Sequence, residues 1–179
     1  MILSPYVNEL QKNHQYQGSS NDCGPYCAAM TLGAVKEKSI NGGQLAQEMN
    51  KLSWHGILPV MRRIPNWATL PSGVRGLLRD EGLPARWKIF QDVYSLYDSL
   101  QEDCITIVIV GELRPLWAHY KILAAYDGGR GWGFVNSAYS DANLQWDTHA
   151  LFFRQWSNFG RQVVRISVDS LSGKKLVRG

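Results

Sequence analysis

The sequence predicts an α+β fold in which a helical half precedes an antiparallel sheet. Three observations carry that reading. Before about residue 102, apolar residues recur at spacings of three and four, the signature of helices with one buried face. After it, short β-branched runs separated by turn residues take over. No internal repeat, low-complexity tract or Pro/Gly/Ser linker divides the 179 residues, so the two halves must share one core. We therefore expect a single domain over 1–179, with a helical lobe to about residue 102, a β lobe from about 103, and a basic C-terminal tail.

Residues 23–36 carry small and apolar side chains without a break and predict a buried helix. Residues 44–52, 73–81 and 93–100 read as amphipathic helices. The stretch 53–71 fits neither pattern: Trp54, Pro59, Pro65, Trp67 and Pro71 crowd into nineteen positions, which predicts a long loop, bordering a site or pinned down by its Trp rings. Residues 105–110 are β-branched throughout and predict a strand buried on both faces. Further strands are expected at 120–126, 132–135 and 163–168.

Composition excludes several classes. Hydrophobic residues at 45% against 19% charged give a globular balance and exclude disorder. The net charge of +4 owes three units to Lys174, Lys175 and Arg178 in the last ten residues. The nearly neutral remainder has no basic-aromatic motif, so no nucleic-acid partner is expected. The longest apolar run, 105–110, is six residues, and no secretory pattern follows Met1, so neither a membrane span nor a signal peptide is expected. Three cysteines, Cys23, Cys27 and Cys104, cannot close a disulfide framework, which suggests a reducing, cytoplasmic setting.

The chemistry concentrates in residues 17–30, where polar, turn-forming residues run into the small-residue helix. Asn21 or Asp22 can cap it, Pro25 is tolerated in its first turn, and Cys23 stands at its N-terminus. Unpaired N–H groups and the positive dipole end there favour a thiolate, so the Cys23 pKa should fall. Gly24 leaves room beside the sulfur for a substrate backbone. The Cys23 N–H can donate to an oxyanion, and the Gln17 amide can reach back to supply a second donor. Cys27, four residues on, has no second pair at zinc-ligand spacing and reads, with Cys104, as a small core residue, so no metal site is expected.

A nucleophilic thiol needs a histidine, and four exist: His14, His55, His119 and His149. His119 opens a strand-like run that meets Asp127-Gly128, a strong hairpin signal. A two-residue turn there sets Asn136 opposite His119, close enough for its amide oxygen to orient the imidazole. A Gly128-Gly129 turn sets Ala138 there instead, and Asp22 or Asp141 could then orient the ring. Trp132 could cover the His119–Asn136 bond or serve as ordinary core. His14 falls near the N-terminus, His55 in the Trp-rich loop and His149 in an irregular stretch, all read as structural or surface residues. Trp67 and Trp117 are the candidate substrate contacts beside Gly24.

With Gln17, Asp22-Cys23-Gly24-Pro25, His119-Tyr120 and Asn136 in this order, the sequence resembles the papain-like cysteine peptidases. Within them it is similar to the bacteriocin-leader peptidases that cut after double-glycine leaders. The resemblance implies a papain-like fold and a cysteine peptidase acting on a peptide or protein. Cys23 would be nucleophile, His119 general base and acid, Asn136 the orienting residue, and Gln17 with the Cys23 N–H the oxyanion hole, with no cofactor. Leader peptidases commonly carry Asp where this chain has Asn136, and no Gly-rich ATPase loop or room for a folded propeptide before Gln17 is visible. A related amidase, deamidase or acyl transferase, or a peptide-binding module without turnover, shares the same pattern.

Overall fold

The structure, a computed structural model, describes residues 1–55, 57–65 and 67–168. The basic segment at 170–179 lies outside the described residues, as do the side chains of Trp54 and His55. The chain begins with β1 (Ile2–Leu3), α1 (Val7–Lys12), α2 (Cys23–Lys36) and α3 (Gly42–Met49). Next come two ribbons, β2 (Ser53–His55) with β3 (Leu58–Val60) and β4 (Arg63–Ile64) with β5 (Ala68–Thr69). They lead to α4 (Pro71–Asp80), β6 (Ala85–Lys88), α5 (Val93–Gln101) and the two long strands β7 (Cys104–Leu113) and β8 (Leu116–Asp127). The chain continues through β9 (Gly131–Val135), β10 (Gln145–Asp147), α6 (His149–Asn158) and β11 (Val163–Ser167).

One antiparallel sheet in the order β10-β9-β8-β7-β11-β6 organises the molecule, with β1 paired to the far end of β8. The α+β reading stands, although β1 and β6 enter the sheet from the front half and α6 comes from the back. Helices cover both faces. On one, α2 packs Cys27, Met30 and Ala34 toward Ile107, Ile109, Tyr120 and Ile122, with α1, α3 and α4 adding Leu10, Leu45 and Leu78. On the other, Leu96 and Leu100 of α5 and Phe152 and Trp156 of α6 bury Val108, Val110, Leu123 and Phe134. Alternate residues of β7 thus enter opposite cores, which is why its sequence is apolar without alternation.

Helix starts follow local chemistry. The Asn41 side chain accepts from Gln44 N–H to cap α3, Asp92 from Ser95 N–H to cap α5, and Pro71 fills the first turn of α4, where no N–H is needed. Two expectations need correction. The stretch 53–71 is two short antiparallel ribbons rather than a loop, because each of its β-forming runs pairs with the next one along the chain. The irregular stretch expected at His149 is the start of α6, capped by Thr148 and driven into the core by Phe152 and Trp156 four residues apart.

Candidate active site

Cys23 occupies the first helical position of α2, one residue after the N-cap Asp22. The Asp22 side chain makes no cap hydrogen bond. It forms an ion pair with the buried guanidinium of Arg63, on β4, which also donates to the Asn21 and Ala46 carbonyls at 3.4 and 3.5 Å. A charge from the second ribbon therefore anchors the turn before the cysteine. Backbone N–H groups of Tyr120, Gly24 and Cys23 face the sulfur, and Arg63 adds positive charge. Burial outweighs all of them and pushes the Cys23 thiol up from its ordinary value. The fall expected from the helix terminus alone is thereby corrected, since the terminus lies inside a core.

The space at Gly24 is taken by protein. A Cβ added there would lie 2.8 Å from the Thr69 side chain, and Gly24 does not line the cleft. Its role is to let β5 close on α2, a correction to its expected place at a substrate backbone. Tyr120 completes this junction by donating its hydroxyl hydrogen bond to the Thr69 carbonyl at 2.8 Å.

His119 and Asn136 meet, although the ladder nearest them has the register of a Gly128-Gly129 turn, which sets Ala138 and not Asn136 opposite His119. The β8–β9 connection spans three residues after Asp127, which pairs with Gly131, while the Asp127 carboxylate accepts from Gly129 and Arg130 N–H. An irregularity between Leu123 and Ala125 then shifts the ladder, so that Ile122 faces Val135. The chain leaves the sheet after Val135, and the Asn136 side chain reaches diagonally to His119, with Nε2···Oδ1 at 2.6 Å. The Ala138 N–H donates to the same Oδ1 at 3.0 Å, which identifies that atom as the acceptor. His119 Nε2 must then carry the proton, leaving Nδ1 as a basic lone pair. Burial holds the His119 pKa below its ordinary value, against the Asn136 hydrogen bond.

Gln17 is fixed by the same logic. The Ser20 carbonyl can only accept, so Gln17 Nε2 faces it at 2.7 Å, and Oε1 accepts from the Ser137 hydroxyl at 2.6 Å. Its backbone N–H also donates to the Ser137 carbonyl at 2.9 Å. Adjacent residues Asn136 and Ser137 thus hold the imidazole and the amide. His14 belongs to this assembly too, donating from Nε2 to the Asn136 carbonyl at 3.1 Å. Nothing local in the sequence marks it, because the contact spans 122 residues.

Cys23, Gln17 and His119 line one cleft of about 430 Å³. Trp67, Thr69, Leu116, Trp117 and Phe159 also line it. Other candidates sit elsewhere. Asp141 accepts from the Asn143 N–H within its own loop, and Trp132 is core, donating to His149 Nδ1. Cys27 and Cys104 are buried free thiols donating to the Tyr120 and Ser99 carbonyls. Among the described residues no group of three His, Cys, Asp or Glu could hold a metal, and no helix is long and apolar enough to cross a membrane.

No family model matches the chain, and no curated protein matches it in sequence. Solved structures do resemble it. A Bacillus anthracis protein assigned as a C39-like peptidase superposes with a TM-score of 0.71 at 13% identity, over 93% of this chain and 97% of that one. The fold is that of the C39-like peptidases. The peptidase domain of Streptococcus ComA, a bifunctional ABC transporter involved in a quorum-sensing pathway, superposes with a TM-score of 0.59 at 16% identity, over 86% and 96% of the two chains. The C39-like, papain-like α+β architecture implied by the sequence resemblance is the observed one, with the Cys23 helix packed on the sheet that carries His119.

Proposed function

We propose that the protein is a cysteine peptidase, one papain-like domain over 1–179, that hydrolyses peptide bonds through Cys23, His119 and Asn136. The observation that carries this reading is the tautomer: Asn136 Oδ1, already oriented by Ala138, holds His119 by Nε2 and leaves Nδ1 free as a base in the cleft that Cys23 lines. Burial disfavours the charged form of both the thiol and the imidazole, which suits His119 to take the thiol proton.

His119 Nδ1 takes the thiol proton as the sulfur attacks the substrate carbonyl carbon. The oxyanion receives the Cys23 N–H and the second hydrogen of Gln17 Nε2, the first being committed to Ser20. The imidazolium then gives its proton to the leaving amine as the C–N bond breaks, and a thioester remains. Water, deprotonated by His119, releases the acid and restores the thiol. The step needs no cofactor. Trp67 and Trp117 would flank the bound peptide.

A peptide library scanned for new N-termini tests the reading, with Cys23→Ala as control. We expect cleavage by the native chain alone, and loss in the variant of labelling by limiting iodoacetamide. Binding without cleavage would make the protein a peptide-binding module; equally fast labelling of Cys27 or Cys104 would remove Cys23 as nucleophile.

A further inference from the structure

Beside the imidazole lies an ion pair for which the chemistry above has no use. Lys121 follows His119 by two residues on β8, so the pleat sets both side chains on one face, roughly 7 Å apart. Lys121 is only 9% exposed; its Nζ lies 2.7 Å from Asp147 Oδ2 on β10 and 5.2 Å from the centre of the Phe134 ring. Stability is a weak reason for such a pair, because apolar residues of similar shape often do as well in a buried site.

The titratable and charged groups around His119 are few. Cys23 faces the cleft from α2, and His14 lies behind Asn136. Lys121 and Asp147 come from β8 and β10, and Glu112 of β7 pairs with Arg154 of α6 toward the surface. Asn136 itself carries no charge. We propose that the Lys121–Asp147 pair tunes the proton affinity of His119, Lys121 holding the imidazole neutral and Asp147 limiting that effect. Burial is the main reason the His119 pKa is low and the Asn136 hydrogen bond opposes it; Lys121 lowers it further, and Asp147 opposes with a smaller effect. The positive charge of Lys121 makes the imidazolium a stronger acid, so it favours passage of the proton from Nδ1 to the leaving amine.

The inference rests on His119 being the base, yet its test needs no turnover. The probe is the titration of the His119 ring, followed by NMR in the Cys23→Ala protein. Lys121→Met, which keeps the packing over Phe134, should raise the midpoint on the order of one pH unit. Asp147→Asn should lower it, and Lys121→Met/Asp147→Asn should settle slightly above the starting protein. Should a single variant fail to fold, the double, which strands no buried charge, still reports the sign. A midpoint unmoved by both single changes, moved the same way by both, or at or below the starting value in the double overturns the proposal. A native chain that cleaves nothing, with these shifts present, sinks the peptidase reading alone.

Discussion

Cys23 and His119 line one cleft but are held there by different means. The sulfur sits at a helix end, faced by backbone N–H groups of Tyr120, Gly24 and Cys23 itself, with Arg63 and Asp22 locking the preceding turn. The imidazole is held by a side chain, Asn136, whose own position depends on the Ala138 N–H, the His14 ring and the path of the chain after β9. Backbone donors at a helix start cannot be mutated away, whereas a carboxamide can. The thiol end should therefore tolerate substitution of its surroundings better than the imidazole end.

That contrast can be broken in order of expected effect. Asn136→Ala should lower kcat/KM for a cleaved peptide by about 10²-fold, because the ring loses both orientation and tautomer. Asn136→Asp should retain more activity than Ala and move the imidazole titration upward, since a carboxylate favours the imidazolium. An Ala variant as active as the native chain would show that something else holds the ring. Gly24→Ala forces a methyl against Thr69 and should cost about 2 kcal/mol in urea denaturation. Combining it with Thr69→Ser, which removes a methyl from the contact, should recover part of that loss. Full stability in Gly24→Ala would mean that the β5–α2 junction yields to a methyl group at no cost. Arg63→Met should slow alkylation of Cys23 at neutral pH about five-fold, as removal of a cation raises the thiol further. An unchanged rate would leave the Asp22–Arg63 pair a purely structural anchor.

The sequence by itself determined what short-range chemistry determines. The limits of α2 were legible from 23–36, because an unbroken small and apolar run needs no distant partner to declare itself. Strand β7 was legible from its β-branched run, and the pairing of a cysteine at a helix start with a histidine opening a strand suggested where to look for a thiol–imidazole site. Tertiary structure decided the rest. It raised the Cys23 pKa, since burial is a property of the whole core and not of the helix end. It corrected the role of Gly24 by bringing up Thr69, forty-five residues away in a ribbon that reads as a loop. It brought Asn136 to His119 by turning the chain out of the sheet after Val135, across a ladder whose three-residue connection and irregularity set a register that residue type does not encode. And it enlisted His14, Arg63 and Lys121, whose partners lie far along the chain or on another strand, because Coulomb and hydrogen-bond energies depend on separation in space and not in sequence.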